Sequence, residues 1–307
     1  MRGRSNTSLA VLALAGIVFI WSYNWIVMKS VLQYIGPFEF AALRCLFGSL
    51  LLFLLLLIMG RGLAPPPLAP TLLIGLFQTT GMMGASQLAL VTGGAGNTAI
   101  LVYTLPVWMI LLAAVFLKEK ITPTRIAAIG IAAAGLLLVM QPWRESGSLL
   151  SSCIAVLSGF LWACAAITTK KLYVKHMEVD LLNLTAWQML FGCAGLVLAA
   201  CLVHDAPIIW SDYLFFALAY NALPATAVAW VLWLFVLRVL PTGISGLSML
   251  LVPVSSVLLA WLLLGEAPSG TEWLGIACIV AALVLITGAA SRLKKLLSGQ
   301  NDQSGVA

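Results

Sequence analysis

Long stretches without a charged residue recur along the whole chain and predict its helices. No Asp, Glu, Lys or Arg occurs in nine stretches, most of them about 16 to 27 residues long. A bilayer core of about 30 Å is crossed by about 20 apolar residues in a helix that rises about 1.5 Å per residue. The stretch between Arg61 and Lys118 is too long for one crossing and contains the breaker Gly93-Gly94-Ala95-Gly96-Asn97, so it counts as two. The pattern predicts ten transmembrane helices.

These stretches are apolar on every face, which identifies the bilayer as their solvent. Hydrophobic residues make up 62% of the chain and charged residues 8%, whereas an average soluble protein has about 25% charged residues. Membrane strands alternate polar and apolar residues, and these stretches do not. We therefore predict an all-α integral membrane protein, with helices at 9–28, 38–59, 68–90, 97–117, 125–143, 149–169, 181–203, 213–237, 242–264 and 272–290.

The net charge of +6 is explained by the position of the basic residues between these helices. One side of the predicted membrane keeps only Lys29, Arg44 and Arg144 of the 16 basic residues. The other side holds Arg2, Arg4, Arg61, Lys118, Lys120, Arg125, Lys170, Lys171, Lys175, Arg238, Arg292, Lys294 and Lys295. Because basic loops stay in the cytoplasm, we predict that both termini are cytoplasmic. The charge gives no reason to expect nucleic-acid binding.

The second half of the chain repeats a pattern of the first. Pro106 and Glu119 are thirteen residues apart, and so are Pro253 and Glu266. Both intervals are apolar, and the offset between the two copies is 147 residues. The shared spacing places a proline inside a span and a carboxylate at its end in each half.

Two further matches extend the repeat to earlier helices. Phe19-Ile20-Trp21 and Phe160-Leu161-Trp162 are 141 residues apart, and Phe47-Gly48 and Phe191-Gly192 are 144 residues apart. Each half then holds five helices, and an odd number makes the two halves enter the membrane from opposite sides. We predict one five-helix repeat over residues 1–145, a second, inverted repeat over 146–297, and a disordered cytoplasmic tail over 298–307.

The ten helices, the inverted repeat and the Pro…Leu-x-Glu ending of the fourth and ninth helices resemble the drug/metabolite transporter superfamily, in its EamA-type exporter branch. The resemblance covers nearly the whole chain and is carried by Pro106, Glu119, Pro253 and Glu266. It implies a bacterial inner (plasma) membrane protein that exports amino acids, including aromatic ones. The first half departs from the family's Leu-Gly-Glu by carrying Lys118.

The prolines and glutamates of this motif have predicted structural or gating roles. Pro106 and Pro253 each free a carbonyl inside a span and let the helix bend, which favours a hinge. Glu119 and Glu266 are expected at helix ends, where a carboxylate either couples and gates transport or is tied to nearby basic or backbone groups.

Polar and aromatic groups inside the spans mark where a substrate would bind, because such groups tend to face the bundle interior or a water-filled cavity. The predicted substrate-binding residues are Trp21, Asn24, Gln78, Tyr103, Trp162 and Gln188. The alternative for Gln78 is an interhelical hydrogen bond. For Trp21 and Trp162 the alternative is an aromatic belt at the membrane interface.

Arg44 is a cation about a turn and a half inside the second predicted helix. Three roles are open to it: attracting a substrate carboxylate, snorkelling outward, or pairing with Glu39.

The chain lacks the motifs of an enzyme or a nucleotide-driven pump. It has no G-x-x-x-x-G-K-[ST] loop and no H-E-x-x-H pair. No acidic residue lies mid-membrane, where a proton-coupled carrier usually has one. Gly243-Ile244-Ser245-Gly246 resembles the nucleophile segment of a membrane protease, but His176 and His204 are in or beside loops on opposite faces. We predict no enzymatic activity, no metal site and no cofactor.

The predicted function is a secondary transporter that exports small amphipathic metabolites, amino acids first, by alternating access through a cavity between the repeats. A passive channel, or an exporter of other metabolites or drugs, is the alternative. The expected partners are the small-molecule substrate and the lipid bilayer, and the expected state is a monomer or weak homodimer.

Overall fold

The computed structural model describes residues 2–93, 95–141, 148–203, 207–264 and 268–301, and these ranges contain helices and no strand. Ten helical units follow one another. They are α1 (Arg2–Ser30, continued by a 3₁₀ turn at Val31–Gln33), α2 (Pro37–Ile58), α3 (Leu68–Ile74, Gly75–Met83 and Gly84–Thr92), α4 (Ala95–Val102 and Leu105–Phe116), α5 (Pro123–Met140), α6 (Leu149–Lys175), α7 (Leu181–Leu202), α8 (Asp212–Tyr220, Asn221–Val228 and Ala229–Val239), α9 (Thr242–Ser248 and Leu251–Leu264) and α10 (Gly270–Asn301).

The predicted number of ten spans is confirmed. Within the described residues, six helical stretches are long and apolar enough to cross a membrane, and the second segment of α4, α5 and α10 are shorter apolar helices. The remaining helical unit is α3, which holds the buried polar residues Gln78 and Thr79. Large apolar side chains such as Leu12, Ile58 and Leu262 are exposed on the outside of the bundle. Such a surface is stable against lipid, where it needs no burial.

Polar side chains just before the helices fix where they begin. Asp180 Oδ1 accepts from the Leu182 N–H at 2.8 Å, and Ser148 Oγ accepts from the Ser151 N–H at 3.1 Å. These bonds satisfy N–H groups that have no partner inside the helix. At the start of α2, the Glu39 carboxylate accepts from the Gly36 N–H at 3.3 Å.

The backbone at the end of α4 is unusual at Lys118, the residue that replaces glycine in the Leu-Gly-Glu pattern. Lys118 has φ of +56°, in the left-handed region. The next N–H, of Glu119, donates back to the Ala113 carbonyl at 3.2 Å. Only glycine visits this region without steric cost, so the backbone at Lys118 is strained relative to a glycine at the same position.

The two halves pack through helix pairs that the repeat relates. α2 packs against α7, and α5 packs against α10. α1 packs against α8 and α9, just as α6 packs against α3 and α4. The main contacts that one half makes with the other therefore have counterparts, which is the arrangement expected of two inverted repeats.

Small residues at repeat-related positions allow the closest of these contacts. Gly192 of α7 packs against Gly75 and Thr79 of α3, and a Cβ on Gly192 would overlap both. Gly48 of α2 packs in the same way against α8, where a Cβ would lie 3.0 Å from Thr226 Cγ2. The match between Gly48 and Gly192, inferred from the sequence, thus describes two equivalent contacts.

Gly135 of α5 and Gly275 of α10 are repeat-related and contact each other, so the repeat maps this contact onto itself. A Cβ on Gly135 would lie 2.8 Å from the Gly275 carbonyl oxygen, and a Cβ on Gly275 would lie 2.6 Å from the Gly135 carbonyl oxygen. The two helices therefore touch backbone to backbone.

Four helices are irregular near their middle, in two repeat-related pairs. α3 and α8 contain π-helical segments at Gly75–Met83 and Asn221–Val228. α4 is interrupted between Val102 and Leu105, and α9 between Ser248 and Leu251. Local π segments often occur at functional sites.

The ends of the predicted repeats lie partly outside the described residues. The boundary at 145/146 and residues 302–307 are outside them. Helix α10 continues to Asn301, past the predicted end of the second repeat at 297.

Candidate functional site

One face of α1 forms a wall of a cavity inside the bundle. Trp21, Asn24, Trp25 and Met28 are spaced three and four residues apart, so a helix places them on one side. All four line the cavity.

The rest of the lining comes from both halves of the chain. α2, α3 and α4 contribute from the first half, and α6 and α8 from the second. The additional lining residues are Arg44, Met82, Met83, Ser86, Val102, Tyr103, Trp162 and Trp230. The cavity is narrow in this conformation, with about 40 Å³ of free volume. That is well below the range of about 300–1,000 Å³ typical of small-molecule sites, so the cavity would have to widen to hold a metabolite.

Tryptophan rings from both halves meet at the floor of this cavity. The centroids of Trp21 and Trp162 are 5.5 Å apart, and that of Trp230 lies 4.9 Å from Trp21 and 5.7 Å from Trp162. Tyr103 lies 6.3 Å from Trp162 and 6.0 Å from Trp25. Aromatic pairs at these distances attract one another beyond their buried area.

Hydrogen bonds orient several of these rings. Trp21 Nε1 donates to the Ala225 carbonyl at 3.0 Å, which ties α1 to α8. Trp25 Nε1 donates to Tyr103 Oη at 3.2 Å. Asn24 Nδ2 donates to Met28 Sδ at 3.0 Å, so the amide is held on the cavity face of α1.

Pro106 accounts for the interruption that presents Tyr103. A residue at 106 would normally donate its N–H to the Val102 carbonyl, and proline has no N–H. The freed Val102 carbonyl packs on Gly159 of α6, where a Cβ would lie 2.6 Å from that oxygen. Pro253 lies at the equivalent place in α9, after the break that ends at Leu251.

Comparison with known proteins identifies the family. The EamA-like transporter family matches this chain twice, over residues 8–141 and over residues 149–288. The chain belongs to the EamA-like transporter family. It is therefore a multi-pass membrane transporter, and the resemblance inferred from the sequence is confirmed.

Relatives of this EamA-family chain match it over nearly its whole length. The uncharacterized transporter YoaV of Bacillus subtilis is 25% identical over 290 residues, which is 92% of this chain and 98% of that protein. A probable amino-acid metabolite efflux pump of Salmonella typhimurium is 25% identical over 280 residues, 88% of this chain and 91% of the pump. A crystal structure at 20% identity has the same fold, with a TM-score of 0.78 over 93% of this chain and 99% of the other.

The EamA-family structure brings together four of the six predicted substrate-binding residues. Trp21, Asn24, Tyr103 and Trp162 line the one cavity. Trp21 and Trp162 are buried inside the bundle, and neither forms part of an exposed aromatic belt.

Gln78 and Gln188 are buried but lie outside this lining. Gln188 of α7 accepts from Thr79 Oγ1 at 3.0 Å, in the contact with α3 that Gly75 and Gly192 close. Gln78 makes no side-chain hydrogen bond to any described residue, so the interhelical bond considered for it is not formed here.

Glu119 connects the end of α4 to the start of α9. Its Oε1 accepts from Thr242 Oγ1 at 2.7 Å, and its Oε2 lies 3.0 Å from Arg125 Nη1. The bond to Thr242 joins the two halves at the end of the bundle opposite Lys29. Glu266 lies outside the described residues.

Sequence reasoning missed Trp25 and Trp230 of the lining, and Trp233, whose ring lies 5.7 Å from Trp162. A signal was available for each. Trp25 is four residues from Trp21, and Trp230 and Trp233 are three apart in a span without charge. In the described part of the chain, no group of three or more His, Cys, Asp or Glu has the arrangement of a metal site.

Proposed function

We propose that this EamA-family transporter exports small amphipathic metabolites, chiefly amino acids including aromatic ones. The observation that supports this most directly is the aromatic cavity shared by the two halves. The repeat-related rings of Trp21 and Trp162 meet edge to face in its wall, with centroids 5.5 Å apart. A flat or apolar side chain would stack on these rings and on Tyr103, and the polar end of the substrate would meet Asn24.

The division of the cavity wall between the halves supports alternating access as the mechanism. In this conformation the cavity extends along α1 toward Met28 and along α3 toward Ser86. At the other end of the bundle, Glu119 and Thr242 hold α4 and α9 together. With both termini in the cytoplasm, as we propose, this is an outward-facing state in a bacterial inner membrane. Breaking the Glu119–Thr242 contact would be part of opening inward.

Two further features support amino-acid export without proton coupling. The Salmonella typhimurium relative is named a probable amino-acid metabolite efflux pump. No carboxylate occurs in the middle of a predicted span, where a proton relay would need one. We propose facilitated transport or exchange by a monomer or weak homodimer.

Uptake of labelled amino acids into liposomes that hold the purified protein tests this proposal. The panel contains aromatic and aliphatic amino acids, each with and without a pH gradient. We expect saturable uptake of aromatic amino acids that unlabelled substrate competes away and that needs no gradient. Uptake of no amino acid by folded protein would contradict the proposal and direct attention to other metabolites or drugs. Uptake that does not saturate would indicate a channel.

A further inference from the structure

Arg44 is a buried cation in the cavity wall. It lies two turns inside α2, its relative exposure is 5%, and it lines the same cavity as the tryptophans. A charged side chain inside a membrane span is costly and is normally paired with an opposite charge.

Arg44 has no such partner among the residues that the structure describes. Its Nε donates to Thr226 Oγ1 at 3.1 Å, and no described carboxylate lies within ion-pair distance. Glu39, the acidic residue nearest in sequence, is instead bonded to the N–H of Gly36. A neutral hydroxyl does not balance the charge, so the cavity offers an uncompensated guanidinium.

A second polar group of the cavity is also unsatisfied. Asn24 Oδ1 is buried and accepts no hydrogen bond from a described residue, while its Nδ2 is occupied by Met28. The cavity therefore presents one cationic donor and one free acceptor beside an aromatic wall. An α-amino acid carries the complementary groups, since its carboxylate needs donors and its ammonium needs an acceptor.

We propose that Arg44 binds the carboxylate of the transported substrate and that Asn24 Oδ1 accepts from its ammonium group. This assignment rests on the proposed function and narrows it to monocarboxylates with an aromatic or apolar body. The planar guanidinium suits a carboxylate because it donates two parallel bonds. An amine without a carboxylate would leave the cation unpaired and is rejected.

Binding to purified protein tests this assignment through the quenching of tryptophan fluorescence. The probes are phenylalanine, 3-phenylpropionate, which lacks the ammonium, and phenethylamine, which lacks the carboxylate. We expect the wild type to bind the two carboxylates and to bind phenethylamine far more weakly. Arg44→Gln should weaken binding of both carboxylates by about ten- to a hundredfold, the range of a lost charged hydrogen bond. Arg44→Lys should lose less, because it keeps the charge without the planar geometry.

Three controls separate binding from structure. Arg61→Gln removes an arginine that pairs with Asp180 at the surface and should change nothing. Thr226→Val removes the tie between α2 and α8 but keeps the cation, so it should not reproduce the loss. Asn24→Leu should weaken the binding of phenylalanine and leave the binding of 3-phenylpropionate unchanged.

The assignment is overturned if Arg44→Gln binds both carboxylates like the wild type, or if Thr226→Val loses as much affinity as Arg44→Gln. It is also overturned if the wild type binds phenethylamine with the same affinity as the carboxylates, or if it binds none of the three probes. Intact binding with no uptake into liposomes would contradict the proposed function alone.

A different observation concerns the end of the bundle where Glu119 and Thr242 hold α4 and α9 together. Applying the repeat offsets of 141, 144 and 147 residues to the cavity lining maps it onto the second half. Met28 maps to Thr169, Arg44 to Gln188, and Trp21, Met83 and Ser86 map to Trp162, Trp230 and Trp233. The hydrogen bonds follow the same mapping, because Arg44 bonds Thr226 and Gln188 bonds Thr79.

These mapped positions hold buried polar atoms without partners. Thirteen buried side-chain atoms of the described residues make no hydrogen bond. Five of them belong to the mapped positions. Trp162 Nε1 and Trp230 Nε1 belong to residues that also line the present cavity, whereas Thr169 Oγ1, Gln188 Nε2 and Trp233 Nε1 lie outside its lining. A buried polar atom without a partner is unfavourable, and water or substrate would satisfy these atoms if the cavity opened at this end.

We infer that Thr169, Gln188 and Trp233 line the substrate cavity in the opposite-facing state. This second inference also rests on the proposed alternating access. Because Gln188 replaces Arg44, the opposite-facing cavity recognises the same substrate through neutral donors of hydrogen bonds.

Labelling of introduced cysteines with an impermeant maleimide tests the second inference. Peptide mass identifies the modified site, so the native cysteines do not interfere. In transport-competent variants, Thr169→Cys and Gln188→Cys should react only from the side of the α6–α7 loop, and Met28→Cys only from the opposite side. Leu184→Cys, which is fully buried in α7 and maps to no lining residue, should stay unreactive. Failure of both Thr169→Cys and Gln188→Cys to react from either side would overturn the inference, whatever the substrate proves to be.

Discussion

Lys29 and Lys170 secure the ends of equivalent helices in the two halves. They are 141 residues apart, and each Nζ donates to two backbone carbonyls at the C-terminal end of α3 or α8. The acceptors are the Leu90 (2.6 Å) and Gly93 (3.0 Å) oxygens for Lys29, and the Leu237 (2.9 Å) and Leu240 (2.6 Å) oxygens for Lys170. A cation at this end also complements the helix dipole. Because the halves are inverted, the two lysines stabilise opposite ends of the bundle.

Replacing either lysine by methionine should destabilise the protein. Hydrogen bonds to charged groups contribute about 1.5–3 kcal/mol each, so Lys29→Met and Lys170→Met should lower the thermal unfolding midpoint in detergent by similar amounts. Lys175→Met, at an exposed position at the end of α6, is the matched control and should have no effect. Unchanged midpoints in both variants would show that the carbonyls find other partners.

Gly192→Ala should be destabilising because α7 and α3 have no room for a methyl group. The new Cβ would overlap the Gly75 carbonyl oxygen and Thr79, and overpacking typically costs about 1–3 kcal/mol. Gly130→Ala is the opposite case, since a methyl group added there would have no neighbouring atom within 4 Å. It should stabilise α5 by about 0.5–1 kcal/mol. Thermal unfolding distinguishes the two, and equal shifts would contradict the tight α3–α7 contact.

Lys118→Gly should stabilise the protein and leave transport unchanged. Lys118 has a left-handed backbone at φ of +56° and an exposed side chain. This conformation costs an L-residue roughly 1–2 kcal/mol relative to glycine, although glycine gains entropy in the unfolded chain. The unfolding midpoint should rise for Lys118→Gly and not for Lys118→Ala. A rise in both variants would point to the lost charge instead.

Trp162→Ala should impair transport while leaving membrane insertion intact. The ring contacts Trp21, Tyr103, Trp230 and Trp233, and its removal opens the aromatic floor of the cavity. Stacking of a base or ring on an aromatic side chain contributes about 1–3 kcal/mol in other proteins, which corresponds to roughly a five- to 150-fold rise in KM for aromatic amino acids.

The matched control is Trp210→Ala, because Trp210 is 58% exposed and is not part of the cavity lining. It should transport normally. Equal transport by Trp162→Ala and the wild type would remove Trp162 from the site.

Gln78→Leu should lower transport without lowering stability. The amide is fully buried and unpaired among described residues, so an apolar side chain of similar size removes a cost of about 1–3 kcal/mol. If Gln78 bonds only in another state of the transport cycle, uptake into liposomes should slow while the unfolding midpoint holds or rises. Normal uptake would show that Gln78 serves neither substrate nor conformational change.

The sequence predicted the features of this fold that depend on local composition. Charge-free stretches set the number of spans. Pro106 and Pro253 marked the interruptions of α4 and α9, because a proline removes a helix hydrogen bond whatever its surroundings. The π segments of α3 and α8 escaped prediction. Pro224, which lacks an N–H, lies inside the segment of α8, but the segment of α3 contains no proline that would have signalled it.

For the candidate site, the sequence predicted which polar and aromatic residues lie deep in the membrane, but not which of them face the cavity. Gln78, Gln188, Trp21 and Trp162 are all deep, but depth does not fix the face on which a side chain lies in an evenly apolar helix. The rotation of α7 is set by Gly192, which must face α3. Gln188, one turn earlier, faces the same way. The spacing of glutamine and glycine was thus the missing signal for Gln188.

The contact between Gly135 and Gly275 has a consequence for how the halves move. When two inverted repeats exchange conformations, every contact becomes its repeat-related counterpart. Under the proposed alternating access, the contacts of α1 with α8 and of α6 with α3 would trade places, so these surfaces would slide. The Gly135–Gly275 contact maps onto itself and is the same before and after. In the proposed cycle, α5 and α10 would therefore stay in contact backbone to backbone throughout, as a fixed axis about which the remaining helices move.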